Sequence, residues 1–274
     1  MTVEEIERKH QEDLLRIRNF RLMDDDFMTK CFEGDTQSIE LVLRILMEMP
    51  DLKVIHVRTQ VFVENLLNRS VRLDVVATDS MGRRVNVEIQ RSDSGAGRKR
   101  ARYNSSMMDI NLLEKGEDFD ALPEVWVIFI TEKDVMGQGK PLYHVERYVS
   151  DSLEKFGDGS HILYVNGAYR GDTPIGKLMH DFACTNPADM NYKTLADRVR
   201  FFKESKEGVT IMCKAIEDMR RQERREGFEE GKGEKMREVA LRMLRTGRYA
   251  LDEISDMSGL PLNEVQSLKA EATT

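Results

Sequence analysis

The strongest constraint in this chain is a pair of short segments with alternating polarity, separated by a tight turn. Val71-Arg72-Leu73-Asp74-Val75-Val76-Ala77-Thr78 and Arg84-Val85-Asn86-Val87-Glu88-Ile89-Gln90 read as two strands joined through Asp79-Ser80-Met81-Gly82. Asp suits the first position of a type I turn, and Gly supplies the left-handed residue that closes a three-residue hairpin loop. With Ser80-Met81-Gly82 as the loop, Asp79 pairs with Arg83, and Asp74 falls opposite Glu88. Facing residues on neighbouring strands have Cβ atoms about 4.5–5.5 Å apart. Two carboxylates that close repel unless a cation lies between them, and a hard divalent ion with oxygen ligands satisfies both. A slip of one residue would undo the pairing. Leu73, Val75, Val87 and Ile89 take the opposite face, which leaves the acids on one side of an otherwise apolar hairpin. An ordinary half-exposed hairpin with its acids facing water fits the same spacing.

Around this hairpin the pattern is that of an α/β protein. Asp35-Thr36 reads as an N-cap, and Ile39, Val42, Leu43 and Leu46 then form one buried helical face that ends near Pro50. Val54-Ile55-His56-Val57 reads as a strand, about 96–115 as a basic helix, and 124–130, with Val125-Trp126-Val127-Ile128-Phe129-Ile130, as a buried strand. Strand, helix, strand in that order is a crossover to a central sheet. Strands and loops fill about 141–172, with Asn166-Gly167 as a turn, and helices follow from 174. The expected divisions are a peripheral arm over 1–20, a core over 21–172, a helical extension over 173–226, and a charged hinge with a helix-turn-helix-like tail over 227–274. Gly227, Gly231 and Gly233 place the hinge in a stretch of interleaved Arg, Lys and Glu. Ile254, Met257, Leu260 and Val265 are the expected apolar contacts of the tail.

Charge and composition bound the function. A 274-residue chain with 40% hydrophobic and 33% charged residues can bury a sizeable core. The longest apolar run is far short of the roughly 20 residues of a membrane span, and the first residues carry no apolar core of a secretory signal. Three widely spaced cysteines, Cys31, Cys184 and Cys213, fit neither a disulfide framework nor a zinc ribbon, so a cytoplasmic, reduced protein is expected. The net charge of −7 disfavours coating nucleic acid by bulk charge. Locally the sign reverses: Arg91, Arg98, Lys99, Arg100 and Arg102 against Asp93 give +4 over 91–103. On a helix Arg98 and Arg102 share a face with Tyr103 beside them, well placed to hold a phosphodiester next to a metal. The five histidines lack ligand spacing, and no Gly-rich phosphate loop supports an NTPase.

Asp74, then Glu88-Ile89-Gln90 fourteen residues on, then a basic helix with Arg102-Tyr103, resembles the PD-(D/E)XK nuclease superfamily. The flanks Arg72-Leu73-Asp74-Val75 and Asn86-Val87-Glu88-Ile89-Gln90 resemble its bacterial branch of transposase-like, recombination-promoting nucleases. The resemblance implies a restriction-endonuclease-like core, with a central mixed β-sheet flanked by helices, and magnesium-dependent DNA cleavage, with Mn²⁺ as a substitute. It implies Asp74, Glu88 and the Ile89 backbone carbonyl as metal ligands, and Gln90 as the third catalytic position. Gln90 stands where many members carry Lys, and Leu73 stands where the motif's proline would precede Asp74. Some members add a carboxylate from the first core helix, which brings in Glu40. An i, i+4 surface pair of Glu40 with Arg44 fits the same position. Arg98, Arg102 and Tyr103 are the expected phosphate-binding residues. DNA is the expected partner, with a second copy of the chain as a further one. The rival expectation keeps the fold and makes it a catalytically inert DNA-binding or assembly module.

Overall fold

A computed structural model of the chain describes residues 2–65, 69–91 and 96–272. The chain divides into two compact units, 1–213 and 214–274.

The first unit begins with α1 (Val3–Asn19), whose Thr2 and Glu5 exchange side-chain-to-backbone hydrogen bonds in a capping box. Next come α2 (Asp25–Phe32) and α3 (Thr36–Leu46). Asp35 caps α3 through Ser38 N at 3.2 Å, and Ile39, Val42, Leu43 and Leu46 are fully buried, the face expected from their spacing. Three strands follow, β1 (Val54–Val63), β2 (Val71–Asp79) and β3 (Arg84–Gln90), then α4 (Arg98–Ile110) and β4 (Val125–Thr131). The strands β5 (Leu142–Val145) and β6 (Ser160–Asn166) complete a six-stranded sheet of order β1-β2-β3-β4-β6-β5. Its pairings are antiparallel except β3–β4 and β4–β6, which are parallel, so the sheet is mixed. The helix α4 is the crossover that lets β3 and β4 run parallel.

Every residue of β4 is buried, as a strand covered on both faces requires. On one face Val125, Val127 and Phe129 pack with Ala101, Met107 and Met108 of α4 and with Tyr164 of β6. Trp126, Ile128 and Ile130 are buried on the other. The helices α5 (Pro174–Ala183) and α6 (Lys193–Glu204) join α2 in an aromatic cluster in which Phe32 meets Phe182 and Phe27 meets Phe202. The result is the mixed α/β sheet flanked by helices that the resemblance implies. Among the described residues no helix is long and apolar enough to cross a membrane.

The helix α7 (Lys206–Thr246) leads into the second unit. It runs unbroken through Gly227, Gly231 and Gly233, which corrects the expected hinge. Glycine costs only about 1 kcal/mol in a helix interior, and propagation is cooperative. Pairs such as Glu217–Arg221 and Glu238–Arg242 support the turns on either side. The helices α8 (Leu251–Ser258) and α9 (Leu262–Ala272) are separated by Gly259 at φ +77°, the left-handed C-cap that lets the chain turn. Ala240, Ile254, Leu260, Val265 and Leu268 form the small core of this unit. Met257, expected among them, is 64% exposed; the buried stripe of α8 runs from Ile254 to Ser258, at i, i+4.

Candidate metal centre

The hairpin closes in the register that its turn chemistry dictates. Val75 pairs with Val87, Val76 with Asn86, Ala77 with Val85 and Thr78 with Arg84. At the turn Gly82, at φ +82°, donates its amide to the Asp79 carbonyl at 3.1 Å. One step beyond the paired stretch stand Asp74 and Glu88, where side chains replace the backbone ladder. The Asp74 amide donates to Glu88 Oε1 at 3.3 Å, and the Ile89 amide donates to Asp74 Oδ2 at 3.0 Å. The two carboxylates therefore meet on one side of the sheet, each tied to the other's strand.

Both are buried, Asp74 to 7% exposure and Glu88 completely, so they do not face water. Burial lifts the Asp74 carboxyl well above the usual carboxylate range, and the negative charge of Glu88 and then of Asp25 lift it further. Burial also raises Glu88, against the hydrogen bond from Asn86 and the positive charge of Arg100. Asn86 Nδ2 donates to Glu88 Oε1 at 3.0 Å, and Arg100 Nη2 to Oε2 at 2.8 Å. Asn86 Oδ1, buried beside them, has no hydrogen-bond partner among the described residues.

Asp74 and Gln90 line an open depression of about 780 Å³. Arg72, Lys99, Arg100 and Arg102 line it too, with Tyr103, whose hydroxyl donates to the Arg69 carbonyl. Arg102 and Tyr103 therefore share the depression with Asp74, whereas Arg98 does not. Arg98 borders a separate hollow with Asp134, Met136 and Tyr164. The expected Arg98–Arg102 face is thus split, and Arg100, between them in sequence, is the cation that reaches the acids. Asp93, the one acid of the basic run, lies outside the described residues.

Glu40 is not at this centre. Its Oε2 accepts the Val54 amide at 2.9 Å and its Oε1 meets Arg44 Nη2 at 2.7 Å. Val54 pairs with Asp79, at the turn end of β2 and five residues from Asp74, or about 17 Å along a strand. The helical carboxylate near Asp74 is instead Asp25, in the first turn of α2, which lines the depression. Asp25 accepts from Gln60 Nε2 at 3.2 Å, and Gln60 holds a left-handed φ of +52° on β1 at the level of Asp74. Nothing local in the sequence brings Asp25 there; only the packing of α2 against β1 and β2 does.

Among the described residues no group of three or more His, Cys, Asp or Glu is arranged to hold a metal. The donor set is thus two buried carboxylates, Asp74 at the wall of an open, cation-lined depression and Glu88 beneath it. It fits a hard ion such as Mg²⁺, which takes one or two carboxylates and fills its remaining positions with water and phosphate oxygens.

These features define a nuclease-type α/β core with an acidic pair where its central hairpin opens. Residues 39–167 match the family model described as PD-(D/E)XK nuclease family transposase. No curated protein and no solved structure matches the chain. The match supports a nuclease, transposase-associated role, and PD-(D/E)XK nucleases generally use divalent metal ions.

Proposed function

We propose that the chain is a metal-dependent DNA endonuclease, hydrolysing phosphodiester bonds in recombination or transposition, with Mg²⁺ as its ion and Mn²⁺ as a substitute. The observation that carries this reading is the facing pair Asp74 and Glu88, buried together, with Asp74 lining a depression that is also lined by cations. Burying two carboxylates side by side is unfavourable for folding alone, whereas a divalent ion turns their proximity into affinity.

Asp74 and Glu88 would hold the ion, with the Ile89 carbonyl as a third oxygen. When bound, Mg²⁺ supplies a water of lowered pKa and neutralises charge on the phosphate. Gln90, half-buried beside Asp74, orients the attacking water through its amide; being neutral, it lends no charge to a developing hydroxide. Arg102 and Lys99 grip the phosphodiester, with Arg102 able to bind two of its oxygens at once.

A plasmid-nicking assay with Mg²⁺, Mn²⁺, Ca²⁺ or EDTA tests the proposal. Nicking by the wild type in Mg²⁺ or Mn²⁺, none in EDTA, and none by the Asp74→Asn/Glu88→Gln double variant is the expected pattern. Nicking that persists in the double variant removes this centre from the reaction. An inert DNA-binding module predicts no nicking under any condition, and no calorimetric difference in ion binding between wild type and double variant.

A further inference from the structure

Among the described residues three hydrogen bonds reach the Glu88 carboxylate, and they differ in how readily they can be given up. On Oε1 the donors are Asn86, fully buried within the sheet, and the Asp74 amide, part of the backbone. On Oε2 the donor is Arg100, whose side chain is 41% exposed and hangs from α4 over the same depression. Two donors are fixed and one is on a long, part-exposed stem.

Resting on the metal-centre reading above, we propose that Arg100 is a placeholder cation that occupies the ion's seat on Glu88 and moves to the substrate phosphate when the ion takes it. A fully buried carboxylate needs a counter-charge. In the ion-free state the Arg100 guanidinium, 2.8 Å from Oε2, supplies it. A divalent ion on the same oxygen competes with that guanidinium, because the two positive charges repel strongly where water is excluded. The displaced side chain stays within the depression, beside Lys99 and Arg102, where a phosphodiester offers it a planar, two-oxygen partner. The Phe129 ring, with its centroid 6.0 Å from Arg100 Cζ, favours a cation over its face and supports the guanidinium in the resting position.

The exchange couples ion and nucleic acid. Phosphate that draws Arg100 away from Glu88 opens the seat for the ion, and the ion that ejects Arg100 strengthens the grip on phosphate. By linkage the two effects are equal. Arg100 is therefore a positioning residue for Glu88 in one state and a phosphate ligand in the other.

The test is calorimetric titration of the full chain with Mn²⁺, alone and with a duplex oligonucleotide carrying non-hydrolysable phosphorothioate linkages. Arg100→Gln is expected to bind Mn²⁺ about tenfold more tightly than wild type without the duplex, since the competing charge is gone. It is also expected to lose the tightening that the duplex confers on wild type, and to bind the duplex more weakly. Arg100→Lys, which keeps the charge and protects the fold should the glutamine variant unfold, is expected to fall between the two. Mn²⁺ binding by Arg100→Gln that equals or falls below wild type would overturn the placeholder while leaving the metal centre intact. No Mn²⁺ binding by wild type or either variant would overturn the metal centre, and the placeholder with it.

Discussion

The two ends of one hairpin bury carboxylates in opposite ways. At the turn, Asp79 is 1% exposed and surrounded by donors: the amides of Met81 and Arg83 at 2.9 Å each, and the Arg83 guanidinium at 2.6 Å. At the open end Asp74 and Glu88 are also buried, each taking a single backbone amide from across the hairpin and standing beside the other's like charge, with Arg100 as the counter-charge on Glu88. Asp79 has every partner that folding requires and is structural. The acid pair is left short of positive charge, a condition that stability alone does not favour and that ion binding would relieve. Burial of an acid is therefore no sign of function by itself; burial against a like charge beside an open, cationic depression is.

The sharpest way to break this contrast is to remove charge at the open end. Asp74→Ala or Glu88→Ala is expected to lower Mg²⁺-dependent nicking by more than about a hundredfold, because ion and phosphate both lose their anchor. Asp74→Asn is expected to unfold in EDTA at a temperature no lower than wild type, since it relieves the repulsion with Glu88. A clear drop in its midpoint would mean that the pair is structural after all. At the turn end the signs reverse. Asp79→Ala should destabilise the protein by about 3 kcal/mol in urea titrations, because it strands the largely buried Arg83 guanidinium. Its nicking rate per folded molecule should match wild type.

This contrast was half legible in the sequence. The register was readable because the side-chain period of two and a Gly-closed turn leave one alignment that buries Val75, Val87 and Ile89. From that alignment the meeting of residues 74 and 88 followed. What surrounds them was not readable, because it depends on how helices are rotated and docked. Spacing within 98–102 joined Arg98 to Arg102, but α4 lies over the sheet in a phase that aims Arg100 at Glu88. Likewise a helical carboxylate near the acids could be foreseen as a type, yet the docking of α2 delivers Asp25, while Glu40 sits at the turn end of the hairpin. The missed hinge has a different cause: three glycines weaken a helix locally, while the ion pairs and cooperativity that hold α7 together act over many turns.

A smaller effect tests whether the turn sets the register. Gly82→Ala forces a Cβ into φ +82°, where nothing else crowds it, so the penalty is conformational and about 1–2 kcal/mol. Thermal unfolding should show that loss without a change in ion affinity. If Mn²⁺ binding weakened in proportion, the two ends of the hairpin would be coupled rather than independent.

Glu40 gives the smallest and most discriminating outcome. Its carboxylate closes the Val54 amide at the start of β1 and pairs with a part-exposed Arg44, so Glu40→Ala removes one backbone acceptor and a weakly contributing surface pair. The expected destabilisation is about 1 kcal/mol, the size of one net hydrogen bond. Because Val54 stands beside Asp79 rather than Asp74, nicking and Mn²⁺ affinity should not change beyond that loss. A tenfold fall in ion affinity with an intact fold would instead bring Glu40 to the acid pair, which the pairing of β1 with β2 forbids unless the two strands slide by five residues. Such a slide would change the side-chain face and carry the buried set of β2 out of the core, so activity and unfolding measured on this one variant decide between the two placements.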